Sequence, residues 1–270
     1  MQMDWVSLGL IAANVIISLQ GFNNPNFFER WMFKVDRILA HREYYRILSS
    51  GFIHVSGSHL AFNMISLYFF AGNIERSLGA SGLLVVYFGS LLVGNLFSLV
   101  LHQQNASYRA VGASGAVSGV VFAAIALFPG MKLALLFLPV FFPAWVFGLG
   151  FVAYSIYGIR SQGDNIGHEA HLGGAIAGLL IALIFAPQAF FANTTTILLI
   201  FIPTMIFMII AFKHPEWLFA RNKSPRHQDD EFKQKQMMIK NELNRILEKV
   251  NHQGVESLSN DERSFLERFR

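Results

Sequence analysis

Long apolar stretches, separated by short polar ones, dominate the chain between residues 5 and 212. A helix that crosses a bilayer needs roughly 20 mostly apolar residues. Seven segments approach this length and are predicted to be helices: 5–19, 59–74, 83–101, 112–128, one within 133–159 that starts near Ala144, 171–186 and 195–212. Between Ala170 and Phe212 there is no Lys, Arg, Asp or Glu, which is the strongest membrane signal in the chain. The pattern predicts an all-α bundle that crosses a membrane several times.

The stretch 20–58 interrupts this pattern early, with charged residues set among aromatic ones. It is too long for a tight turn, and its aromatic side chains suit the boundary between lipid and water. We therefore expect a structured interfacial loop, with Trp31, Tyr44 and Tyr45 as its anchors in the interface.

A second change in composition follows Lys213, where charges of both signs replace the apolar runs. Residues 232–250 have the spacing of an amphipathic helix. Ser259 and Glu262 form a capping-box pattern ahead of a second, short helix. The predicted organisation is a membrane core over 1–190, an additional hydrophobic helix over 191–212 and a charged helical tail over 213–270.

Composition agrees with a membrane protein. Only 14% of the residues are charged, 53% are hydrophobic and 27 are Phe, whereas a soluble domain has about 25% charged residues. The absence of cysteine excludes disulfides, Cys-ligated metals and a Cys nucleophile. A net charge of +4 is ordinary for membrane proteins and gives no reason to expect nucleic-acid binding. The expected environment is the lipid bilayer.

Four polar residues lie at or just inside the predicted starts of apolar helices: His59, Asn63, Ser114 and His171. Polar groups inside a membrane are costly, so each is a candidate for function. Ser114 alone has a commoner interpretation, in which it bonds its own helix or allows close packing. A neutral imidazole is the usual activator of a Ser hydroxyl. Ser114 and His171 are therefore a candidate nucleophile and general base.

His59 and Asn63 are four residues apart and share one face of the second helix. Both can donate hydrogen bonds, and acyl transfer needs donors where negative charge develops. The alternative is that they only stabilise contacts between helices. If successive helices alternate in direction, the second, fourth and sixth begin on the same side of the membrane. His59, Ser114 and His171 would then lie at one depth.

Glycines flank these candidates. Gly112 and Gly115 allow a substrate or another backbone to approach Ser114 closely. Gly174 and Gly178, spaced by four, give the sixth helix a groove in which the fourth can pack. The small residues that follow Ser114 complete such a contact. The pattern favours direct packing of these two helices.

Taken in order, these motifs resemble the rhomboid family of intramembrane serine proteases. The similar segments are Tyr45–His54, His59-x-x-x-Asn63, Glu75-Arg76-x-x-Gly79, Gly112-x-Ser114-Gly115 and Ala170-His171-x-x-Gly174-x-x-x-Gly178. Each motif alone is unspecific, but the full set in this order is specific. The resemblance covers about residues 1–187, and it is to the bacterial type with a six-helix core and one further C-terminal helix.

The resemblance implies a Ser-His dyad without a third carboxylate, in which Ser114 attacks the peptide bond and His171 transfers its proton to the leaving amine. It implies an oxyanion hole formed by His59, Asn63 and the backbone N–H of Ser114. The implied substrates are single-span membrane proteins with helix-destabilising residues near the cut, and no cofactor or metal is implied. The expected location is a bacterial inner membrane, while the oligomeric state stays open.

One departure from the family concerns the dyad directly. Many members carry an aromatic residue four positions after the serine, where it stacks on the catalytic histidine. This chain has Ser118 at that position. The orientation of His171 therefore needs another source.

Three other functions compete with the protease. The main alternative is a catalytically inactive rhomboid-like protein that binds membrane clients, although such proteins typically lack the Ser or the His. A metalloprotease is disfavoured because His168 and His171 are three residues apart, whereas the zincin motif requires four. A channel or transporter would need more buried charge than these helices contain.

Two signals disagree about the side of the membrane on which the tail lies. With the N-terminus inside, seven spans place the tail outside. The basic residues after the last span favour a cytoplasmic tail instead; they are Lys213, Arg221, Lys223 and Arg226. We expect a cytoplasmic tail, which requires that residues 195–212 do not cross the membrane fully. The alternative is that they do cross, and that the preference of basic residues for the cytoplasmic side does not hold for this tail.

Overall fold

The structure is a computed structural model, and it describes residues 4–128, 130–134, 141–161, 164, 166–214, 218, 242–251 and 254–267. Helix α1 spans Trp5–Asn23, four residues longer at its end than predicted. The side chain of Glu75 accepts hydrogen bonds from the backbone N–H groups of Val6 and Ser7, at 3.0 and 2.8 Å. These bonds satisfy N–H donors that the first turn of a helix leaves without intrahelical partners.

The predicted interfacial loop is structured. It contains α2 (Pro25–Trp31), β1 (Phe33–Lys34), α3 (Val35–His41), α4 (Arg46–Ser49) and a 3₁₀ turn over Ser50–Phe52. Arg46 is buried and donates to the carbonyls of Glu29 and Met32, both at 2.8 Å. These bonds tie α4 to the region around α2, so the loop has a fixed shape beside the bundle.

Helix α5 spans Gly57–Leu101 and contains the second and third predicted helices, joined at a kink. Gly79, at the kink, has φ 77° and ψ 170°. A glycine adopts this conformation without a steric penalty. The chain therefore turns at one residue, and the longer break predicted between residues 75 and 82 is wrong. Glu75 does not end a helix but caps α1.

The remaining membrane helices agree with the prediction to within a few residues, apart from two details. They are α6 (Ser114–Leu127), α7 (Ala144–Ser161), α8 (His168–Phe185) and α10 (Thr194–Lys213), and a short helix, α9 (Gln188–Ala192), lies between the last two. Strand β2 (Arg109–Ala110) pairs with β1, and β3 (Lys132–Ala134) pairs with β4 (Phe141–Pro143) just before α7. Helix α8 begins one turn earlier than predicted, so His171 lies inside its first turn. The short helix α9 was not predicted.

Four of the described helices are long and apolar enough to cross a membrane: α1, α5, α8 and α10. Because α5 contains two helices, they supply five spans, and α6 is a shorter apolar helix of 14 residues. Helix α10, whose crossing the charges had brought into question, meets both criteria. The predicted all-α, polytopic membrane fold is confirmed.

Helix α6 lies at the centre, packed against α5 and α8. All of its residues from Gly115 to Ala126 are buried. A Cβ atom added at Gly174 would overlap the carbonyl oxygen of Gly115, and one added at Gly178 would overlap that of Gly119. Helices α6 and α8 thus pack against each other through these glycines.

The described part of the tail holds a helix over 242–251 and a second helix over Asn260–Glu267. The capping box is present: Ser259 Oγ accepts from the backbone N–H of Glu262 at 3.2 Å, and Glu262 Oε2 accepts from that of Ser259 at 2.8 Å. Arg245 and Lys249 of the first tail helix also donate to Glu262. The predicted helical residues 232–241 lie outside the described part of the chain.

Candidate active site

Ser114 and His171 meet where α6 and α8 begin. Ser114 is the first residue of α6, and its Oγ lies 2.7 Å from Nε2 of His171. Both residues are partly exposed, whereas Ala113 and Gly115 on either side of the serine are buried. A short hydrogen bond between a partly exposed serine and a histidine is the arrangement that a nucleophile and its general base require.

The backbone ahead of Ser114 has an unusual conformation that only glycine adopts readily. Gly112 has φ 122°, and its N–H donates to the carbonyl of Ser50 at 2.9 Å. A Cβ atom at this position would lie 2.6 Å from Cε1 of His59. Gly112 therefore permits both the turn into α6 and the approach of the His59 ring to the serine loop.

A buried histidine holds the residue just before the serine. The N–H of Ala113 donates to Nε2 of His54 at 3.3 Å, and Nδ1 of His54 lies 2.8 Å from Oγ of Ser18. The Ser18 hydroxyl donates to the carbonyl of Phe52 at 2.9 Å, so its oxygen accepts the Nδ1 proton. These bonds assign a neutral His54 with its proton on Nδ1. They connect α1 to the entrance of α6.

The two predicted oxyanion donors lie beside this loop on the first turns of α5. The ring of His59 packs against Gly112, and its Nδ1 is buried without a hydrogen-bond partner. Asn63 is buried, and one N–H of its amide donates to the carbonyl of His59 at 3.0 Å. An amide has two N–H donors, so the second remains for another acceptor.

In the part of the chain that the structure describes, no carboxylate is hydrogen-bonded to His171, whose ring bonds Ser114. Glu169, two residues earlier, is buried and its Oε1 lies 3.0 Å from Nε2 of His102, at the end of α5. The ring of Tyr108 stacks on His102 with centroids 3.7 Å apart. Glu169 therefore joins α8 to the end of α5 through His102. Sequence reasoning had not given Glu169 this role, since its partners are distant in the chain.

Ser118 does not contact the candidate base. Its hydroxyl donates to the carbonyl of Ser114 at 2.7 Å, within its own helix. A ring from another helix, Phe151 on α7, packs beside His171, with centroids 5.8 Å apart and an angle of 33° between the ring planes. Sequence reasoning missed this residue, because nothing in the pattern distinguishes it from the other phenylalanines.

The fold and the site together define a class: a polytopic helical membrane protein with a serine and a histidine hydrogen-bonded at adjoining helix starts. Comparison with known proteins is consistent with this class. The model of the rhomboid domain matches residues 41–188, more than half of the chain. The chain belongs to the rhomboid family. A family of unknown function, DUF6576, matches residues 227–269 in the tail.

Similar proteins occur in eukaryotes and bacteria. RHOMBOID-like protein 12, mitochondrial, of Arabidopsis thaliana is 34% identical over 188 residues, which are 63% of this chain and 55% of that protein. Rhomboid protein 1, mitochondrial, of Saccharomyces cerevisiae is 33% identical over 179 residues, 62% of this chain and 52% of that protein. Putative rhomboid protease YdcA of Bacillus subtilis is 38% identical over 82 residues, 30% of this chain and 40% of that protein.

This chain spans about half the length of the two mitochondrial relatives. It is an integral, multi-pass membrane protein. Because those two relatives are mitochondrial, the comparisons do not support the expected bacterial inner membrane. Membership of the rhomboid family supports a function of the intramembrane protease type.

Proposed function

We propose that this protein is an intramembrane serine endopeptidase, with Ser114 as nucleophile and His171 as general base and acid. The observation that carries the proposal is the 2.7 Å contact between Ser114 Oγ and His171 Nε2, formed by two helices that pack closely through glycine. A serine used only for packing needs no imidazole at this distance.

The reaction begins when Ser114 Oγ attacks the carbonyl carbon of the scissile peptide bond. Its proton passes to Nε2 of His171, which accepts it because the neutral ring carries its own proton on Nδ1. The carbonyl oxygen becomes an oxyanion in the tetrahedral intermediate. His171 then gives the proton to the leaving amine, and an acyl-enzyme remains on Ser114. Water, activated by His171, releases the acyl group.

Three donors are available for the oxyanion. The N–H of Ser114 belongs to the first residue of α6 and has no acceptor within the helix. The second amide N–H of Asn63 is not used by the bond to His59, and the His59 ring lies against the serine loop. Donors fixed in place before the reaction stabilise the developing charge without reorganisation.

The proposed substrates are transmembrane segments of single-span membrane proteins in the bilayer. A peptide bond inside an intact helix has its carbonyl hydrogen-bonded and covered by neighbouring turns. Attack by Ser114 therefore requires local unwinding, which helix-destabilising residues near the cut would favour. A bacterial inner membrane stays an expectation of the sequence for its location.

The proposal is tested with purified protein in detergent and a single-span fusion protein whose transmembrane segment carries Gly and Pro. We expect cleavage by wild type and none by Ser114→Ala or His171→Ala. Ser118→Ala is the matched control, since it removes a hydroxyl one turn further along α6. Cleavage by Ser114→Ala at the wild-type rate would refute the proposal.

The alternative function is a rhomboid-like protein that binds membrane clients without cutting them. A fluorophosphonate probe, which forms a covalent bond with an activated serine, separates the two functions without knowledge of the natural substrate. Labelling of wild type but not of Ser114→Ala or His171→Ala supports the protease. A folded wild-type protein that neither cleaves nor reacts with the probe supports the client binder.

A further inference from the structure

A general base must present the correct face and nitrogen to its nucleophile throughout the reaction. In this protein the hydrogen bond to Ser114 fixes only one edge of the His171 ring. Rotation of the imidazole about its own side-chain bonds would move Nε2 out of line with the hydroxyl, so the faces of the ring also require contacts. Ser118, where an aromatic residue would have stood, bonds its own helix instead.

Phe151 of α7 provides such a contact. Its ring centroid lies 5.8 Å from that of His171, and the planes are inclined by 33°. This is within the range of separations at which aromatic rings pack in an offset arrangement. His168 approaches the same imidazole with its edge, at 5.8 Å and 77°. His171 is therefore in contact with rings from its own helix and from α7.

The position of Phe151 is itself determined by α6. The ring of Phe122, which is fully buried in α6, lies 5.4 Å from that of Phe151. Phe122 is two turns beyond Ser114 on the same helix. The three helices thus form a closed set of contacts: α6 to α7 through phenylalanine rings, α7 to α8 through Phe151 and His171, and α8 to α6 through the serine.

From this arrangement we infer that Phe151 is a positioning residue for His171. In this protein α7 supplies the ring beside the histidine, whereas α6 supplies it in family members with an aromatic residue four positions after the serine. The inference rests on the proposed protease function. The Phe151 ring packs beside the imidazole and limits its rotation. An aromatic ring at this distance also favours the imidazolium that forms when His171 holds the serine proton.

The test compares Phe151→Leu with Phe147→Leu. Phe147 lies one turn earlier on α7, and its ring centroid is 6.0 Å from that of Phe151. It is the matched control because it packs on Phe151 and not on His171. Phe151→Leu should lower kcat by roughly two- to tenfold, the range expected for losing one aromatic pair, with KM nearly unchanged. Phe147→Leu should change kcat less than about twofold, and Phe151→Tyr, which keeps the ring, should restore it.

The rate of fluorophosphonate labelling of Ser114 provides a readout that does not depend on substrate docking. It should fall in Phe151→Leu in parallel with kcat and recover in Phe151→Tyr. Equal loss in both Leu variants, or a change confined to KM, would overturn the positioning role while leaving the protease intact. Absence of cleavage and labelling in wild type would instead overturn the proposed function itself.

Discussion

The contact between Gly174 and Gly115 offers the sharpest test of how the fold makes the site. Gly174 lies three residues after His171 on α8, and Gly115 directly follows Ser114 on α6. In Gly174→Ala the added methyl group would overlap the Gly115 carbonyl oxygen, which is backbone and cannot rotate away. The two helices must therefore separate at the level of the dyad.

The magnitude follows from the size of that overlap. Inserting a methyl group into a closely packed contact costs roughly 1–3 kcal/mol of stability. A displacement of about 1 Å between reacting groups can lower a rate by about a hundredfold. The 2.7 Å bond between Ser114 and His171 has no slack to absorb a displacement of this size. We expect Gly174→Ala to fold, to unfold at a lower temperature and to lose cleavage by about two orders of magnitude.

Two matched variants separate displacement of the dyad from general destabilisation. Gly178→Ala creates an equivalent overlap with the Gly119 carbonyl one turn further along both helices, about 6 Å from the first. Gly9→Ala on α1 adds a methyl group that meets nothing within 4 Å. The unfolding temperatures of Gly174→Ala and Gly178→Ala should fall by similar amounts. The rates of cleavage and of fluorophosphonate labelling should fall most in Gly174→Ala. Wild-type cleavage by Gly174→Ala would refute this reasoning.

Three further predictions concern single groups. Asn63→Ala should lower kcat by about 10²–10³ if its amide stabilises the oxyanion, and a loss below threefold in the cleavage assay would contradict that role. Burial, reinforced by nearby His59, lowers the pKa of His54 to about 3. An unfolded histidine titrates near pH 6.5, so below that pH the unfolded chain binds a proton that folded His54 does not. The folded state therefore has its full stability above about pH 6.5 and loses stability as the pH falls towards 3. The thermal unfolding temperature of wild type should therefore fall more steeply between about pH 6.5 and pH 3 than the unfolding temperature of His54→Gln. Hydrogen bonding from Lys249, with further donors, lowers the pKa of Glu262 to about 2, and Lys249→Gln should raise it in carboxyl ¹³C NMR of the full chain.

The membrane helices could be predicted from the sequence because their length and apolar character are set by the bilayer and not by the partners they pack against. The start of α7 at Ala144 followed from Pro143, which precedes it. The glycine contact between α6 and α8 was also predictable, since close approach of two helices requires small residues at a spacing of four. The helices and the start of α7 depend on local sequence alone, and the glycine spacing can be read on each helix separately before its partner is known.

Features that depend on distant partners were not predictable. Glu75 was expected to end a helix, yet its carboxylate caps α1, which lies 68 residues earlier in the chain. His54 was noticed only as part of a motif, and its bond to Ala113 becomes apparent only when the interfacial loop is folded against α6. In each case the side chain is unremarkable in its local context, because the group that it satisfies belongs to another element.

Ser114 and His171 could be recognised in the sequence, whereas Phe151 could not. A polar residue in an apolar helix is costly, so Ser114 and His171 stand out against the bilayer even before their geometry is known. An aromatic residue carries no such cost, and in a chain with 27 phenylalanines any of them could fill a gap in the core. The sequence shows that an aromatic residue is missing at Ser118, but it does not show which ring packs beside His171 instead. What must be preserved is the filled space beside the imidazole, and in this protein Phe151 fills it from α7.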